Sequence, residues 1–156
     1  MKKLIIALLL TLPLTLSAQK YNWKRPLLAG SISFVSGAAW GLHEVTAHHY
    51  ESRFQPRFRK ANPRYWNPDV SWKNKYVDGL PDNGRTKIGP FNKPVVFTDA
   101  KHLLASINQV GMLGAGVVIG LGEKRPVWHY ALDAAISFGF YSLGNHITYK
   151  GIYLRH

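Results

Sequence analysis

Charge is distributed very unevenly along this chain. Residues 26–45, PLLAGSISFVSGAAWGLHEV, carry no charge before Glu44, residues 103–122, LLASINQVGMLGAGVVIGLG, carry none, and residues 127–148, VWHYALDAAISFGFYSLGNHIT, carry only Asp133. Runs of this length predict helices at about 26–50, 95–121 and 127–149, each near the ~20 residues that cross a bilayer. Pro26 suits a first helical turn, where an N–H would have no partner. Thr98 is the predicted N-cap of the second helix, with Asp99 in the first turn, where the helix dipole favours an acid. Gly37 and Gly41, and again Gly116 and Gly120, have the spacing that lets two helix backbones approach closely in a membrane. In water the same glycines weaken a helix by about 1 kcal/mol each relative to alanine. The pattern therefore predicts an all-α fold, a three-helix membrane-embedded bundle.

Residues 52–94 differ in kind. Six prolines and the turn pair Asn83-Gly84 deny this segment long regular elements. It holds ten of the twenty basic residues, interleaved with Phe54, Phe58, Tyr65, Trp66, Trp72 and Tyr76. Mixed basic and aromatic side chains favour the headgroup layer of a membrane. The segment is expected to fold over the helix ends as an irregular cap, with Trp66, Trp72, Lys73, Lys75 and Tyr76 facing lipid or a partner. Stacking on single-stranded nucleic acid is the less favoured use of such a surface.

The first eighteen residues, MKKLIIALLLTLPLTLSA, have the basic start, short apolar run and small-residue end of a secretory signal. They are expected to leave residues 19–156 as a single helical membrane domain in a bacterial envelope. There is no cysteine, which excludes disulfides and thiolate metal sites. The net charge of +12 points to anionic partners, and for an exported chain anionic lipid headgroups come first. The mean hydropathy of -0.13 averages a polar middle with apolar flanks. Lys and Arg concentrate in the loop and tail rather than in residues 19–25 and 122–126. That bias predicts an inner-membrane protein with loop 52–94 cytoplasmic. Trp23 and Trp128 then fall at one interface, and Trp40, Tyr50 and Tyr149 near the other.

Residues 42–51, LHEVTAHHYE, place histidines and carboxylates where an apolar helix ends. Glu44 and His48 are four apart and Asp99 and His102 three apart, so each couplet shares a helix face. With His146 at the end of the third helix, all five belong to the loop side. Carboxylates and imidazoles converging from several helices suit Zn, Fe or Mn. Glu44, His48, Asp99, His102 and His146 are the expected ligands, with His43, Lys101 and Asn145 as supporting partners. The competing reading is that the same groups hydrogen-bond the helices together, with Lys101 pairing to Glu44 or Asp99. His49 and His156 are expected to be solvated. His129 lies ~25 Å from His146 along a continuous helix, so it and Asp133 are expected to face the opposite side and pair with each other. HEVTAHH lacks the H-E-x-x-H spacing of zinc proteases. Ser106 and Ser137 lack a nucleophile elbow.

The motifs HExxxHH, YWNPxxSWxNKY and TDAKHL, spread over residues 40–105, resemble a series carried by small, signal-bearing bacterial envelope proteins of unassigned function. The Asp-Ala-Lys-His element is also similar to the D-K-x-x-H opening of VanZ-like membrane helices, with the lysine displaced by one. Neither resemblance implies an activity. The expected function is a structural or interaction component of the envelope membrane. The alternatives are a metal-dependent membrane hydrolase or oxidase acting on a lipid-linked substrate, and a soluble periplasmic helical domain.

Overall fold

A computed structural model describes residues 21–76, 79–80 and 95–154. The signal segment, the Asn83-Gly84 turn and His156 lie outside the described residues. Helix α1 (Lys24–His48) leads into a π-helical turn (Tyr50–Phe54) and three short helices, α2 (Gln55–Arg57), α3 (Pro63–Trp66) and α4 (Pro68–Ser71). A 3-10 turn (Trp72–Lys75) follows, and another (Val95–Phe97) precedes α5 (Ala100–Gly120) and α6 (Val127–Tyr153).

The long helices fall on the apolar runs, but the expected three-helix membrane-embedded bundle is not what forms. Among the described residues there are six α-helices, and α5 alone is long and apolar enough to cross a membrane. Glycine, serine and histidine dilute the apolar content of α1, as histidine, asparagine, tyrosine and glycine dilute that of α6. The irregular loop is corrected too, because its described part is a run of short helical turns. Two Asn-Pro pairs explain this locally. The Asn62 and Asn67 side chains accept from the N–H groups of Arg64 and Asp69 at 3.0 and 2.9 Å, with Pro63 and Pro68 opening the helices.

Helix α1 is central, packing along both α5 and α6, which touch each other much less. It runs in the same direction as α6: Ser33 and Ser137 share a hydrogen bond of 2.7 Å, and Gly41 lies against Asn145. A Cβ at Gly37 would collide with the Tyr141 carbonyl, and one at Gly144 with the Phe34 carbonyl. These glycines set the helix spacing, as the spacing of Gly37 and Gly41 led one to expect. Gly116 and Gly120 do not serve that purpose, since nothing lies within 4 Å of where their Cβ atoms would be. The glycine that seats α5 is Gly111, against Ser36 of α1.

The seam is small and polar, and the large apolar side chains point outward. Helix α6 buries His129, Asp133, Ser137 and Gly144 while exposing Phe138, Leu143 and Ile147. Helix α5 buries only Ala100, Leu104 and Ala115. Among the described residues, the cluster of large buried apolar side chains is Val45, Tyr50 and Phe54, under the cap, with Trp66, Tyr149 and Ile152 against it.

Gly37→Leu and Gly144→Leu should each lower stability by about 1–3 kcal/mol or more, because the added carbons meet backbone. Gly116→Ala should raise it by up to ~1 kcal/mol, since it gains helix propensity in open space. Thermal melts of the purified variants read both effects.

Candidate functional site

Where α5 begins, Asp99 rather than Thr98 is the N-cap, since a carboxylate is the stronger acceptor. Its Oδ1 accepts the His102 backbone N–H at 2.8 Å, and its Oδ2 lies 2.7 Å from His102 Nδ1. Thr98 Oγ1 donates to the same Oδ2 at 3.2 Å. With a carboxylate on Nδ1, that nitrogen carries the proton and Nε2 is the open one. Asp99 is 1 % exposed, whereas the His102 side chain is 43 % exposed. The cap reaches this point through Asn74, whose amide donates to the carbonyls of Thr98, at 3.0 Å, and Arg64. Burial, and then the Asp99 charge, raises the Tyr65 phenol above its ordinary value. The SWKNKY and TDAKHL motifs thus meet in space.

One helix over, at the end of α1, His43 stacks on Trp40 with ring centroids 4.6 Å apart. His43 Nδ1 and His48 Nε2 approach the two Glu44 oxygens at 3.5 and 3.6 Å. Burial lowers the His43 imidazole below its ordinary value, the Glu44 charge opposing this and Lys101 adding to it. Lys101 therefore lies within electrostatic reach of His43. It makes no ion pair within 4.0 Å to Glu44 or Asp99 among the described residues. His146 and Asn145 line a separate cavity between α1 and α6, which Glu44 also borders.

Of the five expected ligands, Glu44 approaches His48 and shares a cavity with His146, while Asp99 pairs with His102. Among the described residues no group of three or more His, Asp or Glu side chains is arranged to hold a metal ion. Trp66 packs on Phe54, at 5.1 Å between ring centroids, and so faces the cap core rather than an outer surface. Trp72, Lys73, Lys75 and Tyr76 lie further out, with Lys73 Nζ over Trp72 at 5.8 Å and Lys75 Nζ over Tyr76 at 5.2 Å. His49 is partly exposed, with Tyr149 Oη 3.3 Å from its Nε2 and its ring against Tyr153.

At the other end of the helices, Asp133 and His129 do not pair. Asp133 is 0 % exposed and accepts from Tyr21 Oη and Arg125 Nη1. Arg125 also donates to the Ile119 carbonyl at the end of α5, and its guanidinium lies 4.1 Å from the Tyr130 ring centroid. His129 instead packs edge-on against the rings of Tyr21 and Trp128, which stack on each other. Helical spacing favoured the histidine, but a guanidinium from the α5–α6 turn is the stronger partner for a buried carboxylate. The usable signal was an acid inside an apolar run, which requires a cation nearby.

No protein-family model, curated protein or solved structure matches this chain.

Asp133→Asn leaves the Arg125 guanidinium buried without its counter-charge and should cost about 3–5 kcal/mol in a denaturant titration. The Tyr21 phenol is pushed up from the usual 10.0 to about 12, by burial and then by its bond to Asp133. The folded state therefore holds a proton that the unfolded state releases, so this contribution is whole below pH 10 and is lost by about pH 12. An ultraviolet tyrosinate titration should show that late phenol, and Tyr21→Phe should abolish it.

Proposed function

We propose that this chain is a small integral membrane component of the bacterial cell envelope. It acts by binding rather than by catalysis. One observation carries the reading: only 11 % of the apolar stretch in α5 is buried, with Val110, Leu113 and Val117 each more than half exposed. Exposed apolar area costs roughly 25 cal/mol per Å² in water, so an uncovered helix of this kind belongs against lipid. The inward-facing serines, glycines and paired charges, with Phe138, Leu143 and Ile147 outside, support the same reading. The polar groups at the start of α5 hold helix ends together. Trp72, Lys73, Lys75 and Tyr76 present cationic and aromatic groups to anionic headgroups on the cytoplasmic face of the inner membrane. Residues 1–18 act as the export signal.

A second reading, a metal-dependent enzyme acting on a lipid-linked substrate, is favoured by the Asp99–His102 pair. A carboxylate holding one imidazole nitrogen and leaving the other open is the outer half of many metal sites. Stoichiometric Zn, Fe or Mn that His102→Ala removes would support it, and protein purified without metal would end it.

Wild-type chain should stay with the membrane through an alkaline wash and come out only with detergent. Leu113→Arg with Val117→Arg should shift it toward the aqueous fraction, since each arginine at a helix centre costs ~2.5–3.5 kcal/mol on insertion. Release of wild type without detergent overturns the membrane reading.

A further inference from the structure

The seam between α1 and α6 opens into a cavity of about 600 Å³ near the cap end. Its charged groups are Glu44 and Lys150. Among the described residues these two make no ion pair with each other within 4.0 Å, and Lys150 makes none at all. The basic groups near Glu44 are imidazoles at 3.5 and 3.6 Å, longer than good hydrogen bonds. A carboxylate and an ammonium that share a cavity without pairing match a ligand carrying both charges in the opposite sense.

The rest of the lining fits that match. Trp40, Tyr141 and Tyr149 border the cavity, and aromatic faces attract ammonium groups. Along α6 the lining runs from Lys150 and His146 to the exposed Phe138, ~18 Å deeper by helical rise. It thus passes from charged to apolar in the direction that α5 takes from its start. The polar end also lies level with that start, because Lys101 of α5 is within electrostatic reach of His43.

We propose that this cavity binds the headgroup of a phosphoethanolamine lipid, its ammonium on Glu44 among the aromatic rings and its phosphate on Lys150 and His146. A primary ammonium suits Glu44 better than a quaternary one, since it donates hydrogen bonds to the carboxylate. The proposal rests on the membrane reading above, which supplies the lipid.

The test uses the full chain purified in detergent, with phosphatidylethanolamine, phosphatidylcholine or phosphatidylglycerol added and retained lipid read by native mass spectrometry. Phosphatidylethanolamine should be retained at least tenfold more strongly than the other two. Glu44→Gln should remove that preference, and Lys150→Met should weaken retention while leaving the melting temperature in place. Equal retention of all three lipids overturns the proposal, as does a preference that survives both variants. Free phosphoethanolamine competing as strongly as the lipid overturns the lipid as the source. Because selectivity is measured in detergent, its failure is distinct from release of the chain from membranes, which would sink the underlying reading.

Discussion

The structure depends on how closely two parallel helices can approach. Gly37 and Gly41 on α1 and Gly144 on α6 bring backbone against backbone, with no room for a side chain between them. Elsewhere on that seam Ser33 bonds Ser137, and Gly30 makes room for the Phe140 ring. Such an interface buries little apolar area, so its stability comes from dispersion between packed backbones and from satisfied hydroxyls. The arrangement sends the bulky apolar side chains outward, on α5 above all.

The polar ends follow from the same arrangement. A seam this tight leaves no space for charged side chains except where the helices finish. At one end Asp133 takes up Tyr21 and Arg125, tying the approach to α1, the α5–α6 turn and α6 together. At the other, Asp99 caps α5 while Asn74 ties the cap to the same turn. These groups are buried and paired, as charges removed from water must be. The α1–α6 cavity is the exception, for among the described residues its Lys150 makes no ion pair and its Glu44 meets only imidazoles, at 3.5 and 3.6 Å.

Much of this was legible in the sequence. The apolar runs located the long helices to within a few residues, and the Gly37–Gly41 spacing identified a face of close approach. It could not identify which helix fills that face, because Gly116 and Gly120 have the same spacing yet look onto open space. The expectation of three embedded helices failed on composition, since glycine, serine and histidine leave α1 and α6 less apolar than their lack of charge suggests. Helical periodicity found the Glu44–His48 and Asp99–His102 couplets but could not bring them into one cluster. It also mispaired Asp133, whose partners come from a turn and from Tyr21, three residues before α1. Long-range pairing of this kind is set by tertiary packing, which a local pattern does not encode.

The parallel course of α1 and α6 has a consequence for assembly. Two helices that point the same way cannot be joined by a short turn, so the return stroke of α5 must intervene. The partner that closes over Gly37 and Gly41 therefore leaves the ribosome after both α1 and α5. Until it arrives, the central helix has one bare flank lined with glycine and serine. A chain cut short before residue 144 would keep the apolar α5 yet lack the surface that completes α1.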